Sequence, residues 1–120
     1  MLLWVMLAGG LGSGARYLVG VGLAGATFPH GTVIVNLTGC FLLGLVAQFA
    51  LNGGMSPEAR TIIAVGFLGG FTTYSSFNQE TLMMLTTGAY GAAAINVAAT
   101  LVGGLAAGAL GMAAGRLLTT

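Results

Sequence analysis

Charged side chains are almost absent from this chain, and the few that exist are separated by long apolar stretches. Residues 1–15, 17–57, 61–79 and 81–115 contain no Asp, Glu, Lys or Arg. A soluble domain carries about 25% charged residues, whereas here 4% of the residues are charged and 57% are hydrophobic. Such a chain cannot cover a water-facing surface. The sequence therefore predicts an all-α integral membrane protein with the lipid bilayer as its surroundings.

Turn-forming residues divide these stretches into four segments, each long enough to cross a bilayer, which takes about 20 apolar residues. The segments end at the turns of residues 26–31, 52–54 and 86–88. Residues 56–58, Ser-Pro-Glu, are a typical helix start because Ser can cap the free amides and Pro fits the first turn. We predict one transmembrane domain over residues 1–120, with spans at about 2–25, 31–51, 57–86 and 89–117.

The charges and the single cysteine exclude several functions. A net charge of +1 is too small for binding nucleic acid through its phosphates. Cys40 cannot form an internal disulfide, and the sequence has no His and Cys cluster with metal-ligand spacing. No nucleophile, base and orienting group can be placed together, so the sequence does not predict an enzyme.

The arginines favour a weak orientation in the membrane. Arg60 and Arg116 flank spans on one side, the loops on the other side carry no basic residue, and Arg16 lies inside the first span. This bias leans towards both termini inside. So small a bias is also typical of a chain that inserts in both orientations.

Glycine is the second compositional signal, with 22 residues. Glycines in spanning helices let backbones approach one another closely. The candidate contact faces are Gly10-x-Gly12-x-Gly14, Gly20-x-Gly22, Gly39-xxxx-Gly44 and Gly104-xxx-Gly108. They predict close helix packing, and we expect some of these faces to serve a dimer because four helices have little interior of their own.

Several polar residues lie inside predicted spans, where lipid does not solvate them. Arg16 either reaches a membrane face with its side chain or attracts anions to the mouth of a pathway. Thr32 and Asn36, like Asn96 and Thr100, are spaced i and i+4 and so share a helical face. Each pair either lines a polar pathway or hydrogen-bonds between helices.

Residues 66–80 of the third span hold the densest polar signal. Adjacent glycines followed by two threonines form a poor continuous helix, and a break here lies near the bilayer midplane. Irregular backbone at that depth persists only where it is buried or coordinates something. Carbonyls released by a break suit a hard cation such as Na⁺. The alternative is a kinked helix that binds no ion.

An aromatic pair follows the threonines. Tyr74 and Phe77 share a face at i and i+3, and Ser75 and Ser76 add hydroxyl groups. Because an aromatic ring has a positive edge, rings turned edge-on can contact an anion without holding it tightly. The alternative for this pair alone is ordinary packing.

Three motifs together resemble the Fluc family of fluoride channels, also written CrcB, over essentially the whole chain. They are Gly9-Gly10-xxx-Gly14-Ala15-Arg16-Tyr17, Gly31-Thr32-xxx-Asn36-xx-Gly39-xxxx-Gly44 and Gly69-Gly70-Phe71-Thr72-Thr73-Tyr74-Ser75-Ser76-Phe77-xx-Glu80. The resemblance implies a fluoride-selective channel that exports F⁻ passively across the cell inner (cytoplasmic) membrane. It also implies an antiparallel dual-topology homodimer, or a pair with a homologue, with two pores and a central structural Na⁺.

The same resemblance implies roles for individual residues. The implied anion pore consists of Tyr74, Phe77, Asn36, Ser75, Ser76, Thr32, Asn96 and Thr100. Arg16 falls in the vestibule, Glu80 is the acid that follows the third motif, and the carbonyls of Gly69 and Thr72 would hold Na⁺. Tyr74 departs from the usual Phe, and we expect its hydroxyl to alter conduction without abolishing selectivity.

Two other functions remain open at this point. A small multidrug-type antiporter matches in size and span count, but it needs an acid in its first helix, where this chain has Arg16. Glu80 is the remaining candidate for that acid. A non-conducting assembly subunit would use the small-residue faces alone.

Overall fold

The structure, a computed structural model, describes residues 1–119, which form helices joined by short turns. The helical segments of this described part are α1 at Leu2–Gly22, α2 at His30–Leu51, α3 at residues 57–71, α4 at Tyr74–Thr86 and α5 at Tyr90–Leu118. No strand occurs among the described residues. The predicted all-α class is confirmed.

Three of these helices, α1, α2 and α5, are long and apolar enough to cross a membrane. Large apolar side chains face outward along all three, and the described polar side chains that are buried are those of Asn36, Gln48, Thr73 and Asn96. A soluble protein has the opposite arrangement, whereas a protein surrounded by hydrocarbon turns polar groups inward. The chain is therefore a multi-pass membrane protein.

The observed helix ends differ slightly from the predicted spans. α1 ends at Gly22 rather than near residue 25, because the following turn places Gly25 in the left-handed region at φ +92°. α3 begins at Pro57 as expected, and the Ser56 hydroxyl accepts a hydrogen bond of 3.1 Å from the Ala59 amide. The predicted cap at this helix start is confirmed.

Two stretches have the wider winding of a π-helix, Ile62–Leu68 in α3 and Ala99–Gly103 in α5. The sequence does not predict them, since the mostly apolar residues there mark no helical period. Such wide turns in a helix are frequent at functional sites. Both stretches contain residues that line one of the clefts described below.

Glycines allow two pairs of helices to touch backbone to backbone. In the α1–α3 pair, a Cβ at Gly12 would lie 2.0 Å from the Phe67 carbonyl oxygen. In the α2–α5 pair, a Cβ at Gly111 would lie 2.0 Å from the Phe41 carbonyl oxygen. Only glycine fits such a close approach. Small residues therefore hold α1 against α3 and α2 against α5.

The predicted glycine faces are thus partly used inside the chain. Gly12, Gly39 and Gly44 each lie so close to a neighbouring segment that an added Cβ would approach its atoms to 2.2 Å or less. By contrast, Cβ atoms added on the outer side of α1 would meet nothing within 4 Å, at Gly10, Gly14, Gly20 and Gly22. The expected role of such open faces in a dimer stays a prediction.

Gly111→Ala should lower the free energy of unfolding by at least about 2 kcal/mol, because the new methyl group forces α2 and α5 apart. The matched control is Gly91→Ala in the same helix, where a Cβ meets nothing within 4 Å. Thermal unfolding of the detergent-solubilised variants measures the difference. Equal melting temperatures for the two variants would contradict the close contact.

Candidate functional site

The helix is interrupted between α3 and α4. Thr72 and Thr73 have extended backbones, with φ and ψ of −80° and 158° at Thr72 and −151° and 114° at Thr73. An interruption leaves amide and carbonyl groups without their helical partners. In a chain surrounded by lipid these groups must be satisfied inside the protein.

Asn36 of α2 satisfies both backbone groups of Thr73. The Thr73 amide donates to Asn36 Oδ1 at 2.7 Å, and Asn36 Nδ2 donates to the Thr73 carbonyl at 2.9 Å. Both residues are buried, at 8% and 7% exposed. The amide side chain replaces the peptide group that a continuous helix would have supplied. Asn36 therefore fixes where the interruption lies.

The Thr73 side chain then starts α4. Its hydroxyl accepts from the Ser76 amide at 3.2 Å and donates to the Ser76 hydroxyl at 3.1 Å. A threonine with extended backbone and this contact is an N-cap. Ser75 also lies within hydrogen-bond distance of the same hydroxyl, at 3.2 Å. The predicted pore serines are thus gathered around Thr73.

Arg16 reaches the interruption from α1. Its Nη1 donates to the Thr72 carbonyl at 3.2 Å, in a part-buried position. The guanidinium therefore has a partner inside the protein. It also lines a cleft of about 380 Å³, which we call the Arg16 cleft, together with the hydroxyl groups of Ser13, Thr32, Ser75 and Ser76.

A second opening, which we call the Phe77 cleft, has a volume of about 340 Å³. Its walls include Asn36, Thr73, Tyr74, Phe77 and Thr100. Thr73 lines both clefts, so the residue held by Asn36 separates them. The structure brings predicted pore residues from α2, α4 and α5 together here.

The two aromatic rings stand at this cleft in different surroundings. Their centroids are 5.6 Å apart and their planes are tilted by 59°. The Phe77 side chain is 7% exposed, whereas that of Tyr74 is 74% exposed. Thr100 contributes a buried hydroxyl without a hydrogen-bond partner in the described chain. The cleft thus presents two aromatic rings and one available donor.

Glu80 lies one turn beyond Phe77 and bonds across to α2. Thr32 Oγ1 donates to Glu80 Oε1 at 2.7 Å, while the buried Oε2 has no partner among the described residues. Thr32 and Glu80, both predicted site residues, therefore interact directly. The carboxylate is oriented by a neutral hydroxyl.

Asn96 occupies a different place from the other predicted pore residues. It is 0% exposed and is not among the residues that line either cleft. Its Nδ2 donates to Thr81 Oγ1 at 2.9 Å. The sequence does not mark Thr81 as a site residue. The one feature that could have identified it is its position four residues after Phe77 in the same helix.

The carbonyls predicted to hold Na⁺ lie at the interruption. The Gly69 carbonyl loses its usual helical donor because the Thr73 amide bonds to Asn36 instead. The Thr72 carbonyl points to a cation already, the Arg16 guanidinium. Carbonyl oxygens are suitable ligands for a hard cation, so these two groups fit the expected ion by type. The described side chains contain no cluster of His, Cys, Asp and Glu that could hold a metal.

A separate polar network joins α2 to the end of α5. Buried Gln48 receives a 3.4 Å bond from Arg116 Nε and donates to Asn52 Oδ1 at 3.1 Å, and Asn52 in turn donates to Thr119. Gln48 is a buried polar residue inside the apolar helix α2. The network ties the ends of two helices together, away from both clefts.

Asn36→Ala should lower the free energy of unfolding by at least about 2 kcal/mol, because two buried backbone groups of Thr73 lose their partners. The control is Asn78→Ala, which removes an exposed amide from α4 and should cost clearly less. Thermal unfolding in detergent measures both. An Asn36→Ala variant as stable as the Asn78→Ala variant would show that the interruption does not depend on Asn36.

Comparison with known proteins places this fold in a family. A family model described as "CrcB-like protein, Camphor Resistance (CrcB)" matches residues 3–112. A "Fluoride-specific ion channel FluC" of Rhodospirillum centenum is 47% identical over 115 residues, covering 90% of this chain and 91% of the relative. Proteins of the same name from Thermus thermophilus and Sorangium cellulosum are 45% and 43% identical, covering 97% and 96% of this chain and 94% of each relative. The chain belongs to the CrcB-like family.

Proposed function

We propose that this protein is a fluoride-selective channel of the cytoplasmic membrane that lets F⁻ leave the cell passively. The observation that carries the proposal is the Phe77 cleft, in which the rings of Tyr74 and Phe77 and the unpartnered Thr100 hydroxyl meet beside the interruption. The printed names of its relatives, which are fluoride-specific ion channels, support the same function.

The chemistry of the clefts suits a small, strongly hydrated anion. A selective pore must replace water with close donors and still release the ion. Hydroxyl groups and the positive edges of aromatic rings offer such contacts without the tight hold of a full charge. Arg16, the cation nearest this region, donates to the Thr72 carbonyl, which tempers its attraction for an anion. We therefore propose an ion channel and not an enzyme.

A second copy in antiparallel orientation would complete the pathway on the open side of the cleft. Tyr74 is 74% exposed in the single chain, so one wall of the pore is missing there. The bias of the arginines leans towards both termini inside, but it is so small that it is also typical of a chain that inserts in both orientations. We propose two pores in the dimer, one along each chain, with the interrupted segments near the bilayer midplane. The partner is an identical chain or a paired homologue.

A structural Na⁺ between the two chains would be held by the carbonyls of Gly69 and Thr72 of each. The support is the Gly69 carbonyl, which the Asn36–Thr73 contact deprives of its helical donor. The ion would supply fixed positive charge at the interface between interrupted segments. Arg16 already donates to the Thr72 carbonyl, so less of the partial negative charge of that oxygen is available to Na⁺.

F⁻ efflux from liposomes loaded with KF, measured with a fluoride electrode beside a parallel Cl⁻ test, addresses the function. Wild type should release F⁻ rapidly and retain Cl⁻. Phe77→Leu should slow F⁻ efflux roughly tenfold because it removes the ring edge, whereas Phe28→Leu, outside both clefts, should not. Tyr74→Phe should change the rate and keep the selectivity.

Other results would favour another function. No release of either ion by folded dimer would support an assembly subunit or a missing partner chain. Uptake of a cationic dye that depends on Glu80 would support an antiporter. Equal efflux from the wild type and from Phe77→Leu would remove Phe77 from the pathway.

Exchange of Na⁺ for N-methylglucamine in the purification buffer should weaken the dimer, because a bound ion stabilises the state that binds it. Gel filtration at decreasing protein concentration measures the dissociation, and K⁺ at the same ionic strength is the control. Identical profiles in all three cations would argue against a structural Na⁺.

A further inference from the structure

Two buried asparagines hold the helix that carries Phe77, one on each side of the ring. Thr73 lies four residues before Phe77 and Thr81 lies four residues after it. Asn36 of α2 bonds to Thr73, and Asn96 of α5 bonds to Thr81. Of the two asparagines, Asn36 lines the Phe77 cleft and Asn96 does not.

The contact on the Asn96 side has a defined donor direction. Thr81 Oγ1 lies 2.7 Å from the Phe77 carbonyl, which can only accept, so the hydroxyl proton points there. The same oxygen must then accept from Asn96, and it does so from Nδ2 at 2.9 Å. These two bonds assign the orientation of the Asn96 amide group. If Oδ1 and not Nδ2 faced Thr81 Oγ1, two acceptors would meet, because the Thr81 proton already points to the Phe77 carbonyl.

The result is a relay from α5 to the backbone of Phe77. Asn96 is 0% exposed and so has no water to replace this partner. Because Asn96 donates to its oxygen, the Thr81 hydroxyl keeps its proton directed at the Phe77 carbonyl. The Asn96–Thr81 bond also holds α4 against α5 one turn from Phe77. Thr100, four residues after Asn96 on α5, lines the Phe77 cleft. The relay therefore also fixes the separation between the Phe77 ring and the Thr100 hydroxyl.

We propose that Thr81 is a positioning residue for the Phe77 ring, and that Asn96 acts on conduction through Thr81 instead of contacting the ion. The proposal rests on the proposed fluoride channel, and it assigns Asn96 a different role from the pore contact implied by the resemblance. Thr81 lines neither the Arg16 cleft nor the Phe77 cleft, so its effect would pass through Phe77.

The test is a double-mutant cycle with Thr81→Val and Asn96→Leu, which remove the hydrogen-bonding groups and keep similar shapes. Each single variant should slow F⁻ efflux roughly fivefold, the factor expected if one buried hydrogen bond acts wholly on ring position. The double variant should be no slower than either single one, because both act on one relay. Thr81→Ser, which keeps the hydroxyl, should restore the wild-type rate.

The matched control is Thr61→Val in α3. Thr61 makes the same kind of bond, from its hydroxyl to the Pro57 carbonyl at 2.9 Å, but lies far along the chain from the ring. It should leave F⁻ efflux unchanged. If the double variant instead loses the product of the two single effects, Asn96 acts independently of Thr81 and the proposal is overturned.

A second readout does not depend on conduction. 4-Fluorophenylalanine placed at position 77 gives a ¹⁹F resonance in fluoride-free buffer that reports the surroundings of the ring. Thr81→Val, Asn96→Leu and the double variant should shift this resonance alike, and Thr81→Ser should not. If Thr81→Val does not fold as a dimer, Thr81→Ala takes its place in the cycle.

The two readouts separate the possible failures. An unchanged resonance in Thr81→Val or Thr81→Ala overturns the relay, even if wild type conducts F⁻. A wild type that does not release F⁻, with shifted resonances in the variants, removes the proposed channel and with it the role of the relay in conduction. A slowed Thr81→Val with an unshifted resonance would place the effect of Thr81 elsewhere.

Discussion

The pair of hydrogen bonds between Asn36 and Thr73 is the contact on which the rest of the site depends. Helix interruptions are costly in lipid because backbone groups lose their partners, and here one amide side chain satisfies both groups of the extended residue. The same pair leaves the Thr73 hydroxyl free to cap α4 and the Gly69 carbonyl without its usual donor. Thr73, the residue so held, forms part of the wall of both clefts.

Neutral groups dominate the positions where an anion would pass. Side chains with hydroxyl groups line the Arg16 cleft, and two aromatic rings line the Phe77 cleft, whereas the arginine beside them donates to a backbone carbonyl. This division matters because an ion that is held too strongly cannot leave. The glycine contacts also matter here, because they bring the helix backbones close enough for short side chains to reach a neighbouring helix.

The sequence predicts the helical class, the three long apolar helices and several of the residues at the clefts, because uncharged stretches and turn residues are local signals. The start of α3 at Pro57 follows from its cap for the same reason. What the sequence could not show are the partners. Asn36 was expected either to line a pathway or to hydrogen-bond between helices, but its partner Thr73 lies 37 positions away in the sequence, and no local pattern reports such a distance.

Asn96 also shows that a local sequence pattern does not identify the partner of a polar residue. Its spacing from Thr100 indicated a shared polar face, yet the two residues differ, since Thr100 lines the Phe77 cleft and Asn96 turns to Thr81. The wide winding of Ala99–Gly103, which contains Thr100 but not Asn96, departs from the regular period on which the prediction depended. Thr81 was missed because one threonine in a helix is unremarkable until its neighbour is known.

The pairing of the helices also constrains how the chain is built into a membrane. α1 packs against α3, and α2 packs against α5, so each partner is synthesised only after another helix has intervened. α1 and α2 must therefore persist in lipid as separate helices until their partners emerge, which their length and hydropathy allow. The interrupted segment, residues 57–86, enters the membrane after α1 and α2 and before α5. α1 and Asn36 of α2 are therefore already in place when it is inserted. Its irregular backbone is thus completed by helices that preceded it during synthesis.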